Sequence, residues 1–268
     1  MKQLIKDLLL IFLKYFSLFF ILYIVLVFGI TMLNLPLYVK DAILTLCTPF
    51  YGILFVMLRM KKRKMNMNHM NIKTSYSKEC LSDTGTVLGI DIAFTWAASI
   101  LLGLFIQVQS NIDMTELNNN LWISLLAYGI LAPIDEEFFF RGYLMDELAH
   151  HDRLKAAVVL SIVFGLAHLN VLVAFAGFVI SMCMFALRFK YDSVWPGILA
   201  HMGFNILNQV NAYLNTDGIN VIDAIMICLI LFSALMIFKK KTTIVTEFKE
   251  LFHNPEKTFQ NEEMCSEY

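Results

Sequence analysis

An all-α membrane bundle of about eight transmembrane helices is predicted by the composition, the length of the apolar runs and the placement of the basic residues. Of the 268 residues, 58% are hydrophobic and 16% are charged, whereas soluble domains carry about 25% charged residues. No polar stretch is long enough to form a soluble domain. The five Cys are scattered without CxxC spacing, and a net charge of −1 gives no indication of nucleic-acid binding.

Eight apolar runs are predicted as helices, since about 20 apolar residues cross the roughly 30 Å hydrocarbon core. The first run follows two lysines, as in a signal peptide, but no small-residue cleavage site follows it, so an uncleaved span is expected. The fifth and sixth runs are short, and we expect them to be tilted or buried among the others. The runs cover residues 10–33, 38–58, 86–107, 121–145, 155–169, 171–188, 193–213 and 221–238.

The basic residues indicate the orientation of these runs, because Lys and Arg concentrate in cytoplasmic loops. They precede the first run and follow the second, fourth, sixth and eighth runs. The loops 108–120, 169–171 and 214–220 contain no Lys or Arg, and Lys40 is the one cation expected on the outer side. The pattern predicts an integral protein of the cell membrane with both termini in the cytoplasm.

Four regions are expected along the chain. A three-span membrane region covers residues 1–120, a core covers 121–212, the last span lies in 213–241, and a cytoplasmic tail covers 242–268. The core contains the fourth, fifth and seventh runs, whose polar residues are the candidates for a functional site. Function is therefore expected in the core.

The fourth run contains the side chains of this sequence that are energetically most costly to place in a membrane. Its sequence LAPIDEEFFFRGY places Asp135, Glu136, Glu137 and Arg141 in a membrane-length segment, and one charge at the bilayer centre costs at least about 2.5–3.5 kcal/mol. Glu137 and Arg141 are four apart and share one helix face, so they can pair. Glu136 lies about 100° round the helix from Glu137. It is not committed to the Glu137–Arg141 pair, so it is available as a general base or acid. The alternative reading of the cluster is a buried ionic staple.

Two later runs carry imidazoles at helical spacing. Phe164 and His168 are four apart in the fifth run, and His201 and Asn205 are four apart in the seventh. The second pair presents two neutral hydrogen-bond donors side by side, which suits a developing oxyanion. Either pair alone is also typical of a polar contact between transmembrane helices.

The depth of these residues favours a common site. Glu136 and His201 each lie two or three turns, about 12 Å, from the cytoplasmic end of their helix, and His168 is expected somewhat deeper. Three spans thereby bring a carboxylate, two imidazoles and an amide to a similar depth.

The three motifs resemble those of a known family. Glu136 to Arg141 fits EExxxR, Phe164 to His168 fits FxxxH, and His201 to Asn205 fits HxxxN. In this order on spans four, five and seven, the motifs resemble the CPBP family, which comprises CAAX prenyl endopeptidases of the Ras-converting type and their bacterial Abi relatives. The resemblance covers residues 121–212.

The resemblance implies an intramembrane endopeptidase whose substrate is a membrane-associated peptide or protein, with or without a prenyl group. In such an enzyme Glu136 with His168 would activate the attacking water, and His201 with Asn205 would stabilise the oxyanion. Membrane lipid is the other expected partner, and no nucleic acid is expected. The supporting residues implied by the motifs are Glu137, Arg141 and Phe164.

A metal-free mechanism is favoured, and no cofactor is expected. Zinc is the rival, since Glu136, His168 and His201 supply the three ligands of an open site, but the chain contains no HExxH. A second class is a non-catalytic bacteriocin-immunity protein that keeps the protease fold. A third is a proton-coupled transporter, which intramembrane Glu and His also build, although no paired broken spans support it.

Overall fold

The computed structural model describes residues 1–47, 49–63, 77–105, 121–148, 150–168, 171–214 and 219–239, and every regular element within them is helical. This confirms the all-α class. The predicted tail, 242–268, and the whole loop 108–120 lie outside the described residues. The helices are α1 (Lys2–Met32), α2 (Leu37–Cys47), α3 (Phe50–Arg63), α4 (Lys78–Phe105), α5 (121–147), α6 (Arg153–Leu166), α7 (Val171–Tyr191), α8 (Trp195–Leu214) and α9 (Val221–Phe238).

The eight predicted runs correspond in order to these helices, with differences at their ends. The second run is two helices, α2 and α3, separated at Pro49, whose ring removes a backbone donor. The helices of the first and third runs, α1 and α4, begin at Lys2 and Lys78, earlier than residues 10 and 86, because polar residues extend both helices beyond their apolar stretch. The helix of the fifth run, α6, ends at Leu166 rather than 169.

Five helical stretches of the described chain are long and apolar enough to cross a membrane by themselves: Lys2–Thr31, Val39–Lys62, Lys78–Leu101, Ala174–Tyr191 and Val221–Phe238. α5, α6 and α8 are not among them. These three helices carry the three motifs. With 14 residues, α6 is about 21 Å long and too short for a 30 Å core, so its place in the membrane depends on its neighbours.

The bundle is up-and-down, as contacts between helix ends demonstrate. At one end the C-terminus of α7 meets the N-terminus of α4, where Lys190 lies 2.7 Å from Asp83. The C-terminus of α3 reaches that of α5, where Arg59 donates to Tyr143 at 3.2 Å. At the opposite end α8 meets α9. This alternation agrees with the placement of the basic loops along the chain.

The buried core has two parts that together enclose the motif helices. The larger cluster joins α1, α3, α5, α6 and α7 through residues such as Leu8, Phe55, Phe139, Leu160 and Phe185. The smaller cluster joins α4, α7 and α8. The outward faces of α1 and α9 are lined with exposed apolar side chains, which is the arrangement expected of a surface in contact with lipid.

The α6–α7 hairpin brings two helices unusually close. A Cβ built at Gly165 would overlap the carbonyl oxygen of Ala174, and a Cβ at Gly177 would lie 3.3 Å from the Cα of Gly165. The absence of side chains at both positions lets the two backbones touch. The hairpin therefore holds the end of α6, directly before the turn that contains His168, against α7.

Candidate active site

The two glutamates lie in α5 between two stretches of altered helix. Ala132–Glu137 is α-helical, whereas Leu125–Leu131 and Phe138–Leu144 are π-helical. Pro133 cannot donate to the helix ladder, which favours a change of hydrogen-bond pattern at this point. π-Helical turns are rare and occur frequently at functional sites.

Glu137 and Arg141 form a buried ion pair, as their spacing predicts. Nη1 of Arg141 donates to Oε1 of Glu137 at 2.9 Å, and the two side chains are 1% and 0% exposed. Nη2 donates to the hydroxyl of Ser181 in α7 at 2.7 Å. The guanidinium lies 4.5 Å from the ring centroid of Phe164, within cation–π distance. Phe164 thus links the second motif to the first.

Glu137 also holds the imidazole of His201. Nδ1 of His201 lies 3.1 Å from Oε1 of Glu137, and since a carboxylate only accepts, the ring donates from Nδ1. A Cβ at Gly197 would lie 3.0 Å from Oε2 of the same carboxylate. The absence of a side chain at Gly197, one helical turn before His201, therefore leaves room for the Glu137 carboxylate next to the imidazole.

Glu136 faces the opposite nitrogen of the same ring. Its Oε2 lies 3.9 Å from Nε2 of His201, and its side chain is 39% exposed. His201, 8% exposed, therefore lies between two carboxylates. A ring that donates from Nδ1 has a second N–H at Nε2 only when it is protonated. A neutral His201 that donates to the substrate, as predicted from the sequence, would carry its N–H on Nε2 instead, and this role stays a prediction.

His168 lies in the turn after α6, outside the helix in which it was expected, and it is exposed. Its Nδ1 donates to the carbonyl of Phe164 at 3.0 Å, so Nε2 carries the lone pair. The ring packs edge-on against Phe164 at 5.3 Å, and His201 packs against the same phenyl ring at 6.1 Å. Among the described residues no hydrogen bond joins His168 to Glu136.

Asn205 is directed towards α5 rather than towards Glu136. Its amide donates to the carbonyl of Tyr128 at 2.8 Å, within the π-helical stretch Leu125–Leu131. A carboxamide has two N–H donors, so this bond leaves one of them available. The HxxxN pair therefore contacts α5 at two points: His201 at Glu137, and Asn205 at Tyr128.

The zinc alternative requires three converging ligands. Within the described part of the chain, one group of three His, Cys or acidic side chains has ligand atoms within 4.8 Å of one another, and it lies elsewhere. Glu136, His168 and His201 do not form such a group, because His168 lies beyond the end of α6. These residues do not fit a zinc site in this arrangement.

Two further polar residues near the site were not singled out from the sequence. Asp91 in α4 is 5% exposed and lies close enough to His201 for their charges to interact. Ser181 in α7 is fully buried on Arg141. An acid in the middle of an apolar run is itself a functional signal, so Asp91 was detectable, whereas an intramembrane serine is too common to be informative.

The third acid of the fourth run has a different position from its two neighbours. Asp135 is 9% exposed and accepts a hydrogen bond from the backbone amide of Ile53. Ile53 lies in the first turn of α3, where the helix dipole favours a negative charge. Asp135 therefore binds the start of α3 after the break at Pro49, facing away from His201.

Comparison with known proteins identifies the segment that holds this site. The family model for type II CAAX prenyl endopeptidases described as Rce1-like matches residues 118–207. No curated protein and no solved structure matches the chain. The matched segment runs from the start of α5 into α8 and contains all three motifs. Over this third of the chain, the protein is similar to type II CAAX prenyl endopeptidases, in agreement with the resemblance of its three motifs.

Proposed function

We propose that this CAAX-type intramembrane endopeptidase hydrolyses a peptide bond with a water molecule activated by Glu136. The observation that carries the proposal is the difference between the two adjacent acids. Glu137 is fully buried and shared by Arg141 and His201, whereas Glu136 is 39% exposed and makes no ion pair with Arg141. A general base must reach water and have a free lone pair, and Glu136 meets both requirements.

In the proposed reaction Glu136 takes a proton from water as the water oxygen bonds to the scissile carbonyl carbon. The resulting oxyanion receives hydrogen bonds from Nε2–H of protonated His201 and from the second N–H of Asn205. When the carbon–nitrogen bond breaks, the proton held by Glu136 passes to the leaving amine. Glu137 orients His201 through Nδ1 and stabilises its charge, so its part is positioning.

His168 is included on the family resemblance and on its free nitrogen. Because Nδ1 donates to Phe164, Nε2 is directed to accept a hydrogen bond from a water molecule or substrate. The hairpin of α6 and α7 presents it at an exposed position. We infer that His168 assists Glu136 through water rather than by direct contact. The mechanism needs no metal.

The substrate class follows from where the site lies. The exposed apolar side chains of α1 and α9 suit contact with lipid, so we infer that the substrate is a membrane-associated peptide or protein. A prenylated chain end is one member of that class. Membrane lipid is the second expected partner, and we propose no nucleic-acid partner.

Comparative membrane peptidomics of cells that carry the wild type or Glu136→Gln tests the activity. Glu79→Gln is a matched control, since Glu79 lies on the surface of α4 with Lys190. We expect cleavage products that are present with wild type and Glu79→Gln and absent with Glu136→Gln. Identical peptide sets in all three strains, with an immunity phenotype kept by Glu136→Gln, would establish the non-catalytic alternative instead.

A further inference from the structure

A second cluster of ligating side chains lies at the end of the bundle that carries the basic residues, away from the three motifs. Oδ2 of Asp7 in α1 is 3.0 Å from Nε2 of His151 and 3.3 Å from Nε2 of His150. The imidazole centroids are 4.0 Å apart. The three ligand atoms all lie within 4.8 Å of one another.

The separations between these ligand atoms are close to those found around a tetrahedral metal ion. Zinc binds imidazole nitrogen and carboxylate oxygen at about 2.0–2.2 Å, so two ligand atoms of a tetrahedral zinc are roughly 3.3–3.5 Å apart. The two measured separations, 3.0 and 3.3 Å, require only a small outward movement. Calcium and magnesium prefer all-oxygen sites, and two imidazoles exclude them here.

The surroundings hold the cluster in place. The amide of Gln3 donates to Oδ1 of Asp7 at 2.8 Å, which leaves Oδ2 for the imidazoles. His151 donates its backbone N–H to the carbonyl of Leu148 at 2.9 Å, so a turn after α5 brings two consecutive histidines to one point. Hydrogen bonds to ligands of this kind are typical of metal sites.

The cluster is accessible to an ion. The side chain of His150 is 59% exposed, and those of Asp7 and His151 are 22% and 16% exposed. His150 and Asp7 line a surface pocket together with the acid Glu147 and the cations Lys14 and Arg59. Arg59 donates to Tyr143, so it is engaged beside the pocket rather than directed at the ligands.

We propose that Asp7, His150 and His151 bind a divalent transition-metal ion, with zinc as the best match and water in the fourth position. The ion joins the start of α1 to the linker between α5 and α6, directly after the helix that bears Glu136. The site is structural and does not depend on the proposed peptidase activity.

Titration of chelator-treated, full-length protein in detergent tests the site. We expect the wild type to bind one equivalent of Co²⁺ with the intense visible absorption of tetrahedral cobalt, and Zn²⁺ to displace it. Asp7→Asn and His150→Asn should lose this signal, and Gln3→Ala should weaken binding about 10–100-fold. His168→Ala and His201→Gln are the matched controls and should bind as the wild type does.

His150→Asn keeps the test informative if Asp7→Asn fails to fold, because the His150 side chain is mostly exposed. Hydrogen exchange gives the second readout: zinc should slow exchange in residues 2–8 of the wild type and not of His150→Asn. Absence of saturable cobalt binding at pH 7.5 would overturn the proposal. Binding that persists in His150→Asn, or that disappears only in the His168 and His201 variants, would overturn it as well.

Discussion

Two adjacent glutamates in one helix have opposite environments, and this difference gives each residue its proposed part. Glu137 is directed into the bundle, where Arg141 and His201 share one of its oxygens. Glu136, one residue earlier, faces the other side of the same imidazole and remains accessible. A rotation of about 100° per residue is enough to separate a base from a structural anion.

Glu136→Gln and Glu137→Gln should therefore fail in different ways. Glu136→Gln removes the base and keeps the shape, so turnover should fall about 10²–10⁴-fold while the thermal unfolding midpoint stays near that of the wild type. Glu137→Gln leaves the buried Arg141 without its counter-charge, which costs about 3–5 kcal/mol of stability. Thermal unfolding in detergent and peptide-cleavage assays measure the two effects. An equal loss of stability in both variants would refute this division.

Removing the proposed oxyanion donors should lower turnover and leave affinity unchanged. Asn205→Ala and His201→Ala should each reduce kcat about 10²–10³-fold with little change in KM, since the donors matter mainly in the transition state. The double variant should be far less than additive if the two donors act together. A higher KM with unchanged kcat would make this face a substrate-binding surface.

At the scale of the helix, the α6–α7 hairpin controls the position of His168. Gly165 lets α7 approach so closely that even a methyl group would overlap the carbonyl of Ala174. Cores and packed interfaces do not absorb such an overlap without backbone movement. The position of His168 is therefore tied to the glycine three residues before it.

Gly165→Ala should lower both the unfolding midpoint and the cleavage rate, because the added Cβ forces the hairpin apart. The matched control is Gly29→Ala in α1, where no other group lies within 4 Å of the new Cβ and alanine favours the helix by about 1 kcal/mol. Thermal unfolding and turnover of the two variants, compared with the wild type, measure the effect. Equal behaviour of the two alanine variants would contradict the role of this close approach.

On the scale of the whole molecule, the up-and-down order places the Lys- and Arg-rich helix ends together. The N-terminus of α1, the C-terminus of α3 and the C-terminus of α7 lie at the same end as the linker between α5 and α6. Since Lys and Arg accumulate on the cytoplasmic side, this end is predicted to be cytoplasmic.

Reporter fusions test that orientation. Fusions at Lys78 and Tyr268 should give a cytoplasmic signal, and a fusion at Asn118 should give an external one, because loops with and without cations alternate along the chain. Activity of both an external reporter and a cytoplasmic reporter should be measured at each position. An external signal at Tyr268 would contradict the eight-span model with both termini in the cytoplasm.

The proposed structural zinc site also affects how a metal-free mechanism is tested. Purified wild-type protein is expected to keep its cleavage activity after exhaustive chelation, because Glu136 activates water without a metal. Metal analysis should be made on His150→Asn, so that zinc at the proposed peripheral cluster is not attributed to the catalytic residues. Activity lost on chelation and restored by zinc in that variant would favour the zinc alternative.

The sequence by itself determined the helical class, the order of the spans and the motif residues, because hydrophobicity and i, i+4 spacing are local properties. Glu137 and Arg141 lie on one helix, so their pairing was predictable. Only the tertiary structure decided that His201 lies between Glu136 and Glu137, that Asp135 binds α3, and that Asp7 meets two histidines from residues 150–151. Each of these contacts joins residues far apart in the chain, and their directions depend on π-helical turns, glycine contacts and helix ends that periodicity does not specify.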